Sequence, residues 1–374
     1  MNDTNKDVYR RLQEYMDTMP VGFPATQSGV EIRILKHLFT PEDAEVALKL
    51  KFQPEPVKKI YRRFKKIGMQ LKELEKQLDD MYIKGLIHRG ARDIGDSIEK
   101  YYAIAPLAIG IYEYQLGKLT KDFYTDHEQY VDEAFINEYN SSGIPQLRVI
   151  PIEETLDYEQ SIASYDDMRE LIENIGEPIA VAECLCRQAK DMMGEPCSKT
   201  SLIESCFSFR TAAKSFIEKG LAREISKEEA LEILRKAEDD GLVLQPSNSL
   251  RPMNICTCCG CCCGILTHQK KLPEPSKFFA TNYYAEVDED LCIGCETCVE
   301  RCNMDAIEVE DAIAKVDLTR CIGCGVCVPT CTSEAIKLRK KEKETLPPRN
   351  TLATYMAIMD GKAEIAREGK NYEQ

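Results

Sequence analysis

Hydrophobic and polar positions fall into two textures along the chain: long stretches of helical period, and short apolar runs bounded by turn residues. Thr40-Pro41-Glu42-Asp43 predicts a helix start, with a threonine cap, proline at the first helical position and acids in the first turn. That helix carries Ala44, Val46, Ala47 and Leu48 toward a core. A second helical pattern runs from about Glu55 to Lys84, and Gly85-Leu86-Ile87-His88-Arg89-Gly90 then predicts a short strand and turn. Residues 100–140 read as helical and aromatic, with Tyr101, Tyr102, Tyr112, Tyr114, Phe123 and Tyr124 as core. Leu147 to Ile152 predicts a strand after a turn at Ser142-Gly143, and Asp166-Asp167 to Asn174 a short amphipathic helix. Ser226-Lys227-Glu228-Glu229 has the form of a capping box, opening a helix that stops at Gly241 and turns Leu231, Ile233 and Leu234 inward. Lys337 to Arg349 reads as a basic linker. Thr351 to Arg367 predicts a terminal helix packing back on the body, with Leu352, Tyr355, Met356 and Met359 on one side.

Cysteine positions change this picture. Cys292, Cys295, Cys298 and Cys302 follow the spacing C-x2-C-x2-C-x3-C, and Cys321, Cys324, Cys327 and Cys331 repeat it 29 residues later. This is the ligand spacing of a protein-bound [4Fe–4S] cluster. Three thiolates of such a loop wrap one cube, and the fourth points away to the other. One cluster is therefore assigned to Cys292, Cys295, Cys298 and Cys331, and the other to Cys321, Cys324, Cys327 and Cys302. The register extends outward: Val287-Asp288 maps onto Val316-Asp317, and Asp305-Ala306-Ile307 onto Glu334-Ala335-Ile336. Zinc ribbons favour two separated C-x2-C pairs, so a fourfold run argues against them.

On these residues, about 283–339 resemble the bacterial-type two-cluster ferredoxins. Those ferredoxins place proline after the fourth cysteine, where this chain has Asn303 and Thr332. The chain as a whole resembles ferredoxin-domain proteins of anaerobes with a Cys-rich middle, a resemblance that carries no assigned role. Helix, helix and a Gly-Leu-Ile strand give the N-terminal part the outline of a winged helix. The expected class is α+β, in five segments: a winged-helix-like part over 1–100, a helical connector over 101–180, a Cys-rich part over 181–282, the two-cluster domain over 283–340, and a linker and terminal helix over 341–374.

Ten more cysteines stand in the middle: Cys184, Cys186, Cys197 and Cys206, then Cys256, Cys258, Cys259, Cys261, Cys262 and Cys263. The first four form one candidate centre, and four of the last six another, with the helix after Ser226 as an ordered spacer. Six cysteines within eight residues are too many for one metal, because neighbouring side chains diverge. The set leaves open one or two further [4Fe–4S] clusters, a zinc ion, or redox thiols. The four histidines lack paired ligand spacing, and His268, five residues after Cys263, reads as solvated, with capping or ligation of the central site as the alternative.

Composition sets the remaining bounds. The 18 cysteines are clustered, which favours metal thiolates over a disulfide scaffold. No charged n-region with an apolar h-region opens the chain, and the longest apolar run, Tyr101 to Tyr112, is interrupted by Pro106. The expectation is a soluble protein of a reducing cytoplasm, in an organism living with little oxygen. A net charge of −14 disfavours nucleic acid as partner. Against this, Lys58, Lys59, Arg62, Arg63, Lys65 and Lys66 pack six cations into nine residues, either a solvated or partner-docking helix face over Ile60, Tyr61 and Phe64 or a phosphate-facing patch. The function expected is one-electron transfer between redox partner proteins, as a subunit or partner of a larger oxidoreductase. The alternatives are a redox-sensing winged-helix regulator, and an enzyme with an open metal position in the central cysteines.

Overall fold

The chain divides into two units, Met1–Tyr139 and Asn140–Gln374, and the computed structural model describes residues 7–65, 68–95, 97–156 and 162–368. The opening Met1 to Lys6 and Lys66 of the basic run lie outside the described residues. The architecture is α+β.

In the first unit, α1 (Val8–Met16) and α2 (Val30–Leu38) precede α3 (Pro41–Ala47). Thr40 Oγ1 accepts from the Asp43 N–H at 3.1 Å, as the Thr-Pro-Glu-Asp start requires. The single helix expected from Glu55 to Lys84 is broken. Glu55–Pro56 is a short strand, β1, followed by α4 (Val57–Tyr61) and α5 (Leu71–Lys84). Pro56 is extended with ψ 144°, and Gly68 sits at φ +84°, a conformation that right-handed helix cannot absorb. The hairpin of β2 (Ile87–Ile94) and β3 (Ser97–Ile104) follows, in a sheet of order β1-β3-β2. Asp79 of α5 ties helix to hairpin by accepting from Arg89 at 2.8 Å, Lys100 at 2.6 Å and Tyr102 at 2.9 Å.

The aromatic stretch is core as expected, although it opens in strand β3 and only then becomes α6 (Lys121–Tyr130) and α7 (Ile136–Asn140). Tyr102, Tyr112, Tyr114, Phe123 and Tyr124 are buried, and His127 stacks on Tyr112 at 3.7 Å. In the basic run Ile60 and Phe64 point inward. Lys59 pairs with buried Glu55 at 3.0 Å, Arg63 pairs with the same carboxylate, and Arg63 also donates to the Lys49 carbonyl at 2.7 Å. Two of these cations are thus committed to an internal acid.

The second unit is built on an antiparallel sheet of order β6-β4-β5-β8-β7. In chain order its elements are α8 (Met168–Asn174), β4 (Ile179–Glu183), α9 (Leu185–Met192), β5 (Glu204–Phe209), α10 (Thr211–Glu218), β6 (Ala222–Ile225), α11 (Lys227–Asp239), β7 (Val243–Pro246) and β8 (Asn254–Cys258). Asp167 caps α8 and Ser226 caps α11, each accepting an N–H three residues on. Val181, Phe207 and Ile255 pack against Ala230, Leu234 and Ala237 of α11, while Leu231 and Ile233 are only partly covered. Leu147 to Ile152 is not a continuous strand. Leu147 and Ile150 bridge to Ser247 and Leu244, but Arg148 bridges to Ala280, so no single ladder forms. Arg148 is buried and paired with buried Asp166, which also accepts from Asn282 at 2.7 Å.

The chain continues through α12 (Gly264–Gln269), β9 (Tyr283–Val287), α13 (Thr297–Arg301), β10 (Ile307–Glu310), β11 (Ile313–Val316), β12 (Ile336–Lys340) and α14 (Thr351–Glu368). Strand β9 pairs with β12, and β10 with β11. The face of α14 differs from expectation: Thr354 and Ile358 are buried, whereas Leu352, Met356 and Met359 are 51, 43 and 43 % exposed. Thr354 Oγ1 donates to the Asn248 carbonyl at 2.6 Å, and that bond lets a polar residue take the inner position. Among the described residues no helix is long and apolar enough to cross a membrane.

Candidate metal centres

The repeat in the sequence is a repeat in space. Asp288 N–H bonds the Ala335 carbonyl at 2.8 Å, and Asp317 N–H bonds Ala306 at 2.8 Å, each half closing on the other. Cys292 N–H and Cys321 N–H then return to the carbonyls of Asp288 and Asp317. Gly294 and Gly323 of the two Cys-Ile-Gly-Cys loops have φ +64° and +65°, and a Cβ at either would strike backbone, of Ala312 or Tyr283. Only glycine fits a loop curled this tightly.

The loops gather several of these thiols. Cys302 lies within electrostatic reach of Cys321, Cys324 and Cys327, and Cys298 within reach of Cys292 and Cys295. Cys331 packs into an apolar cluster shared by cysteines of both halves, Cys292, Cys298, Cys302, Cys321 and Cys327. Backbone N–H groups aim at the sulfurs: Ala314 at Cys292 (3.3 Å), Ala306 at Cys302 (3.3 Å) and Ala285 at Cys321 (3.5 Å). Such donors favour thiolate over thiol. A small apolar pocket is lined by Cys302, Cys321, Cys324 and Cys327 with Ala285, Ile307 and Val326. Four convergent thiols around an apolar cavity fit an iron–sulfur cube. Burial pushes Cys324 up to about 12 as a free thiol, and ligation by a cation reverses that preference.

Asn303 explains why proline is missing after the fourth cysteine. Its side chain, 2 % exposed, accepts from the Gly260 N–H at 2.8 Å and donates to the Gly241 carbonyl at 2.7 Å. A Cβ on Gly260 would collide with the Asn303 backbone. Arg301 adds bonds to the carbonyls of Glu238 (3.0 Å) and Asp239 (2.5 Å) at the end of α11. The cluster-binding repeat is thereby fastened to the central cysteine loop.

The central cysteines divide otherwise than their order in the chain suggests. Cys197 joins Cys259, Cys261 and Cys262, and the four sulfurs lie within 4.8 Å of one another. Cys197 is 3.6 Å from Cys259 and 3.7 Å from Cys261, and Cys261 is 3.6 Å from Cys262. Adjacent cysteines therefore converge here, against the expectation that they diverge: Gly260 to Cys262 form a turn, not a strand. One tetrahedral ion with metal–sulfur bonds of about 2.3 Å sets sulfurs about 3.8 Å apart. The quartet has that size, which a cube, with one thiolate on each of four irons, exceeds. The bond from Cys262, with the nearby Arg187 guanidinium, holds Cys259 down to about 4 against its burial.

The other six cysteines form an arc on the opposite side of β8. Cys206 and Cys256 face each other across β5 and β8, and Cys258 lies two residues on, on the same face. Cys263 opens α12, Cys184 opens α9, and Cys186 lies in the first turn of α9. Sulfur hydrogen bonds link Cys256 to Cys206 and Cys258, Cys263 to Cys258 and Cys186, and Cys186 to Cys184. Six cysteines within eight residues thus divide between two packing clusters: Cys256, Cys258 and Cys263 turn one way, Cys259, Cys261 and Cys262 the other. Arg187 is 8 % exposed and donates to the Leu202 carbonyl (2.9 Å), Ser205 Oγ (2.6 Å) and the Thr257 carbonyl (2.7 Å). Sequence reasoning passed over this residue, although a cation directly after a C-x-C pair is a signal. His268 is buried, not solvated, with Nδ1 2.7 Å from the Gly264 carbonyl.

Residues 285–343 match the family described as a 4Fe-4S dicluster domain. No curated protein and no solved structure matches the chain.

Proposed function

We propose that the chain is an electron-transfer protein in which the 285–343 domain holds two [4Fe–4S] clusters, one on Cys292, Cys295, Cys298 and Cys331, the other on Cys321, Cys324, Cys327 and Cys302. The observation that carries this reading is the gathering of Cys302 with the cysteines of the opposite half, around an apolar cavity. When bound, such clusters take up and release single electrons at potentials set by hydrogen bonds, burial and charge. The residues supply those levers unequally. Cys327 and Cys324 lie in apolar surroundings, while Cys295 is exposed and flanked by exposed Leu291 and Ile293. The first site is therefore the edge where a redox partner exchanges electrons, and the second faces the interior of the unit. Acidic residues around that edge, Asp288, Glu289, Asp290 and Glu296, suit a basic partner surface, such as a subunit of a larger oxidoreductase.

For the first unit we favour a protein-docking winged helix. The strand order β1-β3-β2, with two helices leading into a hairpin, supports the outline. The engagement of Lys59 and Arg63 with Glu55, together with the net charge of −14, weighs against a phosphate-facing surface and so against a DNA-reading regulator.

Replacing Cys302 by Ser tests the ligand assignment by electron paramagnetic resonance of reduced protein prepared without oxygen. The signal of the cluster on Cys321, Cys324 and Cys327 is expected to change while the other is kept. A change confined to the cluster on Cys292, Cys295 and Cys298 overturns the crossed assignment.

A further inference from the structure

The quartet around Cys197 is compact enough for one ion, but the six-cysteine arc is not, and it lies where an electron carrier would be useful. We propose that Cys184, Cys186, Cys206, Cys256, Cys258 and Cys263 hold a third iron–sulfur cluster, adjacent to the one bound through Cys302.

Charge is the first argument. Arg187 is a buried guanidinium whose oxygen partners are all neutral, its Nε has no hydrogen-bond partner, and the one sulfur it bonds is that of Cys259. A buried cation requires a nearby anion, and the groups in reach are the sulfurs of Cys184, Cys258 and Cys259. Disulfides across the arc would be neutral and leave the guanidinium only the quartet sulfur of Cys259. Metal-bound thiolates keep their charge at any depth of burial, so metal ligation on both sides of Arg187 accounts for its position.

Size and softness give the metal class. Thiolate-only sites select zinc, copper(I) or iron–sulfur clusters. A single tetrahedral ion takes four sulfurs. The arc offers six, strung from α9 across β5 and β8 to the start of α12, more than one ion takes and enough for the four thiolates of an iron–sulfur cube.

Position is the third argument. Cys256, Cys258 and Cys263 pack with Val243, Leu266, Met304 and Ile322 into the same apolar cluster that receives Cys302, Cys321 and Cys324. The space between the arc and the dicluster domain is filled by side chains that exclude water, and Asn303 fixes the spacing. An electron arriving at the exposed Cys295 edge has a continuous route inward to the arc.

The test measures iron, acid-labile sulfide, zinc and copper in the full chain purified without oxygen, in wild type and in a Cys206→Ser, Cys256→Ser double variant. Wild type is expected to hold about twelve irons or more, against about eight for the dicluster domain alone. The double variant is expected to lose about four irons while both dicluster resonance signals persist, which also shows that it is folded. Should the variant fail to fold, the wild-type count decides. About eight irons in wild type with both dicluster signals intact, or zinc or copper in place of the additional iron, overturns the proposal. The inference rests on the electron-transfer reading only for its neighbour: absence of the dicluster signals themselves would count against that reading instead.

Discussion

Asn303→Ala removes one side chain that satisfies two buried backbone groups. The Gly260 N–H loses its acceptor at 2.8 Å and the Gly241 carbonyl its donor at 2.7 Å. With the side chain 2 % exposed, water does not reach either group without local opening. An unsatisfied buried donor or acceptor costs about 1–3 kcal/mol, so the two together cost about 2–6 kcal/mol. Asn303→Asp separates the halves of that sum. It keeps an oxygen for the Gly260 N–H and sets a second oxygen against the Gly241 carbonyl, so at least half the loss is expected to remain. Urea unfolding followed by circular dichroism without oxygen gives the difference, provided the denaturant slope is unchanged. Because Gly260 lies within the central cysteine loop, Asn303→Ala should also speed the loss to a chelator of any metal that the Cys197 quartet holds. A destabilisation below about 0.5 kcal/mol in both variants refutes the view that Asn303 fastens the two regions.

Two further outcomes are expected. Asp166→Ala leaves Arg148, fully enclosed, with no anion in the pair and should destabilise the second unit by about 3–5 kcal/mol in the same assay. Burial, then the charges of Glu153, Asp239 and Glu154, push Glu238 up to about 7, in spite of the Glu153 N–H bond at 3.1 Å. The folded state therefore holds this proton more tightly than the unfolded state. Its stabilising contribution is complete below about pH 4.5 and is lost as pH rises through about 7, amounting to about 3 kcal/mol at most. Glu238→Gln should flatten that part of the stability–pH curve.

How far the sequence carried differs by region. The dicluster repeat was legible because ligand spacing and internal repetition are local, and each Cys-Ile-Gly-Cys loop states its own geometry. The cap at Thr40 and the helix after Ser226 were legible for the same reason. The break at Pro56 and Gly68 was signalled by residue type but outweighed by the helical periodicity on either side. The partition of the central cysteines was not legible. It depends on the pairing of β5 with β8, which places Cys206 opposite Cys256, and on a turn at Gly260 that reverses the facing of Cys259, Cys261 and Cys262. Both are long-range facts. The asparagine in place of proline was visible as a departure, but its partners, Gly241 and Gly260, became apparent only in three dimensions. For α14, a hydrophobic stripe indicated the wrong face, because a hydrogen bond from Thr354 decided the packing.

The most direct test of the central claim is an electrochemical titration of the full chain, prepared without oxygen, followed by electron paramagnetic resonance. The account expects at least two reversible one-electron reductions, with Cys295→Ser altering the one assigned to the exposed edge and leaving the one at Cys324 unchanged. Iron-loaded protein that takes up no electrons reversibly would contradict it.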